Sequence, residues 1–252
     1  MAKEHLGPLK TVEQKVNEAI ERADKRFRST VHGENLRELW PLMTEHFGEP
    51  KDIEIITHSQ TYKVTFPDGR IYKVHVWTIP GRDFHEFVYE KGSMVPKPVK
   101  TIKVKSGKCW KVVEWIDGVC DRISIYDPTN LRLIPPKRWH ALGRLLGEIS
   151  SHRPVAKEMM MTVCDLHWGN FAAVGDKVAL IDDKKITADH VPEKWAFYYI
   201  LFNQYHLPEQ MNAFIEGYVS AVKGPRSEAE MGMLKTAETF LRRLREKLER
   251  ER

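Results

Sequence analysis

The chain has 252 residues, of which 42% are hydrophobic and 30% are charged, so it can bury a core in one large domain or in two lobes. Solubility explains its net charge of +5, with attraction of an anionic partner such as a nucleotide as the alternative. It has no apolar run of about 18 residues and its three cysteines are scattered, so we expect no transmembrane helix, no zinc or disulfide framework, and a cytoplasmic protein.

The first fifty residues predict two helices ahead of any strand. Thr11 and Gln14 have the spacing of a capping box, and apolar residues follow at helical spacing as far as Phe27. A second helix is predicted from Glu34 to Phe47. We therefore assign residues 1–50 to an N-terminal helical extension, whose role as a brace, a dimer contact or a lid is left open.

Residues 51–115 predict a β-rich part with one helix. Apolar and polar residues alternate on either side of two turn signals, at Pro67-Asp68-Gly69-Arg70 and at Ser106-Gly107-Lys108. A short helix is predicted from Asp83 to Lys91, between the two hairpins. The lysines from Lys97 to Lys111 are expected to coat a solvated hairpin. The predicted hairpin strands are Tyr62–Phe66, Ile71–Trp77, Lys100–Lys105 and Cys109–Trp115.

Residues 116–252 predict a mainly helical part. One helix follows Pro136, another starts at Pro192, a third carries Met211 to Val222, and a capping box at Ser227 begins the last. Two short apolar runs interrupt this pattern and predict strands on either side of a polar loop. These strands are Met159–Val163 and Val178–Ile181.

The polar loop carries the residues with catalytic chemistry. Asp165 precedes Asn170 by five residues, and Asp182 follows Asn170 by twelve, at the end of an apolar run. Phosphoryl transfer needs an acid to orient a hydroxyl and take its proton, and hard oxygen ligands for magnesium. We therefore predict Asp165 as the catalytic residue and Asn170 and Asp182 as metal ligands. His167 either contacts a phosphate or bonds nearby backbone.

The loop resembles the catalytic loop of the aminoglycoside phosphotransferase-like and choline-kinase-like enzymes. That family carries His-Gly-Asp-Leu-His-x-x-Asn and then Ile-Asp-Phe/Trp. This chain has Asp-Leu-His-Trp-Gly-Asn from Asp165 to Asn170, but Val163-Cys164 replaces His-Gly and Asp183 replaces the aromatic residue. The resemblance implies an α+β, two-lobed protein-kinase-like fold, with a β-rich N-lobe, a helical C-lobe and ATP held between them.

The resemblance also implies nucleotide contacts in the β-rich part. Ile71 would face adenine and Lys73 the phosphates, while His75 alternates identically and is the rival to Lys73. Glu86 is favoured over Glu90 as the partner of Lys73, although both lie on one side of the predicted helix. The other predicted contacts are Ser59 in the glycine-free loop His58–Thr61, the hinge backbone at Glu114 and Ile116, and His167.

The function that the resemblance implies is transfer of the γ-phosphate of ATP, with magnesium, to a hydroxyl of a small molecule. A minimal protein Ser/Thr kinase is one alternative, although only about ten residues separate Asp183 from Pro192, where a peptide-docking segment would lie. A nucleotide-binding pseudokinase or scaffold is another, which the glycine-free loop and the missing histidine favour. Retention of Asp165, Asn170 and Asp182 opposes it. No nucleic-acid motif is present.

Overall fold

The computed structural model describes residues 10–23, 30–57, 60–77, 84–118, 128–152, 160–163, 168–182, 186–189 and 201–222, with single helical residues between 227 and 249. The chain divides into two compact units, Met1–Pro80 with Pro98–Trp115 and Gly81–Lys97 with Ile116–Arg252. Among the described residues, no helix combines the length and the apolar character that a membrane crossing requires.

The first unit begins with two helices, α1 (Val12–Arg22) and α2 (Thr30–Phe47). The predicted capping box is confirmed, because Gln14 N–H donates to Thr11 Oγ1 at 3.2 Å and Thr11 N–H donates to Gln14 Oε1 at 2.8 Å. Helix α2 starts four residues before the predicted Glu34. Gly33, a weak helix former, is buried there against α1, so packing outweighs local propensity.

A five-stranded antiparallel sheet follows these helices. Both predicted hairpins are confirmed, with left-handed backbone at Gly69 (φ 88°) and Gly107 (φ 83°) in their turns. The strand order is β1-β2-β3-β5-β4. The strands are β1 (Asp52–Thr57), β2 (Thr61–Thr65), β3 (Ile71–Trp77), β4 (Pro98–Lys103) and β5 (Cys109–Glu114).

The two faces of this sheet differ in chemistry because successive side chains alternate. One face packs on α1 and α2 to form the core of the first unit, and its largest buried side chains are Tyr62 and Trp110. The opposite face carries polar and basic side chains from the same strands. In register across β2, β3 and β5, these include Lys63, Lys73, His75 and Lys111.

The second unit combines helices with two short strand pairs. Strand β6 pairs with β9, and β7 pairs with β8, both antiparallel. Of the helix predicted from Pro192, residues 192–200 lie outside the described residues, whereas residues 201–204 are helical and bury the predicted Phe202. The elements are α3 (Phe84–Glu90), α4 (Pro128–Leu133), α5 (Pro136–Ser151), β6 (Met160–Val163), β7 (Phe171–Val174), β8 (Lys177–Leu180), β9 (Ile186–Asp189) and α6 (Pro208–Val222).

Helices α5 and α6 approach each other through glycines. A Cβ built on Gly143 would lie 2.0 Å from the carbonyl oxygen of Phe214, and one on Gly217 would lie 1.9 Å from that of His140. No larger residue fits such a backbone approach. Helix α5 also packs on β6 and β8, so this helix pair supports the strands that flank the polar loop.

Candidate active site

The twelve-residue spacing between Asn170 and Asp182 is that of a β-hairpin. Asn170 ends a 3-10 turn, and β7 begins at the next residue. Strand β8 returns so that Phe171 pairs with Leu180, and the chain turns between them at Gly175 (φ 59°). Both predicted metal ligands therefore lie at the open end of one hairpin.

Backbone hydrogen bonds join the two predicted ligands directly. The carbonyl oxygen of Asn170 accepts from the amide of Ile181 at 2.8 Å and from the amide of Asp182 at 3.4 Å. The residues of the adjoining β7–β8 pair, Phe171 and Leu180, are buried in the core of the second unit. The positions of Asn170 and Asp182 are thus set by a hairpin that packs in this core, and both residues are half-buried.

This donor set suits magnesium. An amide oxygen and a carboxylate are hard oxygen ligands, and magnesium in nucleotide sites is held by one or two carboxylates together with substrate phosphates and water. Within the described ranges, which omit 164–167 and 183–185, no three His, Cys, Asp or Glu side chains converge on one point. The amide of Asn170 and the carboxylate of Asp182 fit a magnesium ion that completes its coordination with nucleotide phosphates and water.

Asp165 and His167 lie outside the described residues, but the strand that precedes them in the chain is described. Strand β6 ends at Val163, which pairs with Ile186 at the start of β9. Because the two strands are antiparallel, the chain leaves β6 towards Asp165 and enters β9 from Asp182 at the same end of the ladder. The end of β6 and the start of β9 are therefore adjacent.

The predicted phosphate lysine lies in the middle of the sheet. Lys73 is 9% exposed on β3, between Lys63 of β2 and Val113 of β5. His75 follows on the same face and is fully buried. The geometry of the first unit therefore keeps both as neighbours on one face, and the choice of Lys73 stays a prediction.

The predicted hinge continues directly from β5. Trp115 N–H donates to the carbonyl of Ile71 at 3.1 Å, which ties the end of β5 to the predicted adenine strand. Glu114 is exposed and Ile116 is half-buried. Gly118 lies so close to β7 that a Cβ would come within 2.8 Å of the Ala173 carbonyl oxygen.

The other predicted nucleotide residues lie on α3 and in the β1–β2 turn. Glu86 and Glu90 are both exposed on α3, one turn apart, while His85 and Val88 face inward. Ser59 lies outside the described residues. The pairing of Lys73 with Glu86 and the phosphate contact of Ser59 stay predictions.

Two of the lysines predicted to be solvated are not. Lys97, Lys100, Lys103 and Lys105 are exposed as predicted, but Lys108 is half-buried and Lys111 is only 2% exposed. Lys111 Nζ lies 4.5 Å from the centroid of the Trp77 ring, a cation–π contact, and the residue pairs in register with His75. Side chains two residues apart on a strand lie on the same face, so Lys111 shares the face of Val113, which is also that of Lys73 and His75. The sequence pattern could therefore have indicated the position of Lys111.

No family model and no curated protein matches the sequence. Among solved structures, an aminoglycoside phosphotransferase from Alicyclobacillus acidocaldarius superposes with a TM-score of 0.50 at 10% identity, covering 80% of this chain and 93% of that one. The amicoumacin kinase hAmiN, in complex with AMP-PNP and Ca²⁺, superposes with a TM-score of 0.49 at 13% identity, covering 69% and 73%. The first likeness shows the fold, so the predicted two-lobed α+β protein-kinase-like fold is confirmed.

Proposed function

We propose that this protein is a Mg-ATP-dependent phosphotransferase that moves the γ-phosphate to a hydroxyl of a small molecule. The observation that supports it best is the pairing of Asn170 with Asp182 at the open end of one hairpin, five residues after Asp165. The fold shared with an aminoglycoside phosphotransferase adds to this support. Fold alone does not fix function, so the proposal depends on the site.

Each predicted residue has a role in this proposal. Asn170 and Asp182 hold the magnesium ion, which when bound neutralises charge on the nucleotide phosphates. Asp165 orients the acceptor hydroxyl and takes its proton late in the transfer. Electrostatic positioning, without a covalent enzyme intermediate, supplies the rate. The nucleotide is held by Lys73 with Glu86 as its partner, by Ser59 and His167 at the phosphates, and by the backbone at Glu114 and Ile116 at the adenine edge.

A small molecule is favoured over a protein as the acceptor because of β9. Residues 186–189 are paired along their whole length with β6. The stretch from Asp183 to Pro192 therefore gives four of its ten residues to a two-stranded ladder. Too little chain is left for the extended segment on which peptide substrates dock in protein kinases.

The first experiment asks which acceptor is labelled. Purified protein is incubated with magnesium and γ-radiolabelled ATP, together with either a panel of hydroxyl-bearing metabolites or a cell protein extract. Label in a metabolite that requires both enzyme and magnesium is the expected result. Label in a protein band would instead favour the protein-kinase alternative.

The second experiment removes the negative charge of one metal ligand. Asp182→Asn should lower transfer by more than about a hundredfold, since even groups behind a metal ligand contribute about 10- to 100-fold. Asp176→Asn is the matched control, because Asp176 is an exposed acid at the closed end of the same hairpin. Asp165→Ala should retain Mg-ATP binding and lose transfer. ATP binding that needs no divalent ion and survives Asp182→Asn unchanged would favour a scaffold.

A further inference from the structure

Gln60 has a backbone conformation that its side chain disfavours. Its φ is 57°, in the left-handed region where a non-glycine residue costs about 1–2 kcal/mol. It stands immediately before β2, at the end of the β1–β2 turn. Strain of this kind persists only where surrounding contacts impose it, and it concentrates at functional segments.

The contact that holds Gln60 comes from the N-terminal helices. Asn35 on α2 is 2% exposed, and its Nδ2 donates to Gln60 Oε1 at 3.0 Å and to the Tyr62 hydroxyl at 3.0 Å. Its Oδ1 accepts from Lys108 Nζ at 2.9 Å. One buried amide therefore binds the end of the β1–β2 turn, strand β2 and the β4–β5 turn.

The network around Asn35 is anchored on both sides. The Tyr62 hydroxyl also lies 2.9 Å from Nδ1 of His32, one turn earlier on α2. Glu38, one turn later, accepts from Lys108 Nζ at 3.1 Å and from Trp110 Nε1 at 2.6 Å. The position of Asn35 is therefore fixed independently of Gln60, so Asn35 can impose a conformation on Gln60.

We infer that Asn35 is a positioning residue for the nucleotide: it fixes the left-handed backbone of Gln60, the residue that follows the predicted phosphate contact Ser59 and leads into β2. The inference depends on the proposed function, which assigns this turn to ATP. It also gives α2 a role as a brace. A turn without glycine cannot settle into a left-handed conformation at no cost, and the hydrogen bond from α2 supplies what glycine would otherwise provide.

The test is a double-mutant cycle on ATP affinity, measured by titration calorimetry with magnesium present. Asn35→Leu and Gln60→Met should each weaken ATP binding about fivefold, equivalent to about 1 kcal/mol for one net hydrogen bond. The double variant should be no weaker than either single variant, because both remove the same bond. Gln60→Met lies on a half-buried residue and leaves α2 intact, so it remains informative if Asn35→Leu folds poorly.

Tyr62→Phe is the matched control. It removes a neighbouring hydroxyl of the same network without touching Gln60, so it should lower the melting temperature and leave ATP affinity unchanged. If the single variants bind ATP with wild-type affinity, or if their losses of affinity multiply in the double variant, the inference is overturned and the proposed function is not. A wild-type protein that does not bind ATP overturns the proposed function, and the inference with it.

Discussion

The close approach of α5 and α6 allows a sharp prediction for Gly217→Ala. The added Cβ would lie 1.9 Å from the carbonyl oxygen of His140 and 3.0 Å from the amide nitrogen of Arg144. Ordinary contact begins near 3.4 Å, so the helices must separate by about 1.5 Å. The opposing atoms are backbone, which cannot rotate away as a side chain can.

The expected free-energy change is the difference of two effects. Overpacking a tight site costs about 1–3 kcal/mol, and the upper end applies where backbone blocks relaxation. Alanine recovers about 1 kcal/mol of helix propensity relative to glycine. We therefore expect Gly217→Ala to destabilise the protein by about 2 kcal/mol, which lowers the melting temperature by about 4–8 °C for a chain of this size.

Gly232→Ala is the control for this prediction. Gly232 is also helical, but nothing lies within 4 Å of its built Cβ, so only the propensity gain applies. This variant should melt at a temperature equal to or slightly above that of the wild type. Thermal unfolding followed by circular dichroism measures both. Shifts of the same sign and size in the two variants would refute the close-approach argument.

Two further predictions concern the stability of each unit. Burial, and then the charge of Lys91, lower the pKa of His152, which lies 2.9 Å from the Ser93 hydroxyl. Histidine in the unfolded chain has a pKa of about 6.5, so above that pH His152 is neutral and its contribution to stability is complete. The contribution is lost as pH falls through the lower pKa of the folded state. His152→Gln should flatten the pH dependence of the melting temperature between pH 7 and pH 5, and an unchanged slope would contradict this. Trp110→Phe should lower the free energy of unfolding by about 1–3 kcal/mol in urea titrations, because a fully buried side chain loses volume and its donor bond to Glu38. A midpoint equal to that of the wild type would count against it.

Local patterns in the sequence were sufficient for the elements that local contacts determine. The capping box at Thr11 and the hairpin turns at Gly69 and Gly107 depend on residues a few positions apart. The short strands of the second unit were harder. Strand β7 has four residues and β9 has four, too few for a period to appear, and β9 pairs with β6 across more than twenty residues.

The candidate site also combines features that the sequence predicts with features that depend on packing. The sequence predicted Asn170 and Asp182 as a pair because the chemistry of magnesium selects residue types, but the hairpin that joins them was not predicted. The bond from Asn35 to Gln60 spans 25 residues and depends on how α2 packs, so no sequence pattern indicates it. The role of Asp165 is a prediction that Asp165→Ala tests, and the roles of Lys73 and Glu86 stay predictions.

The basic face of the sheet gives a physical argument for an anionic ligand. Lys63 and Lys73 are directly opposite in register, and like charges in that arrangement destabilise a sheet by about 0.2–1 kcal/mol. Lys63 is compensated by Glu54, whose carboxylate lies 3.6 Å away, and by the Trp115 ring, whose centroid lies 5.1 Å from its Nζ. Helices α1 and α2 cover the apolar face, so stability alone does not require lysines on the other. We therefore favour the face of Lys63 and Lys73 as the one that meets ATP, because the negative charge of a polyphosphate is attracted to lysines.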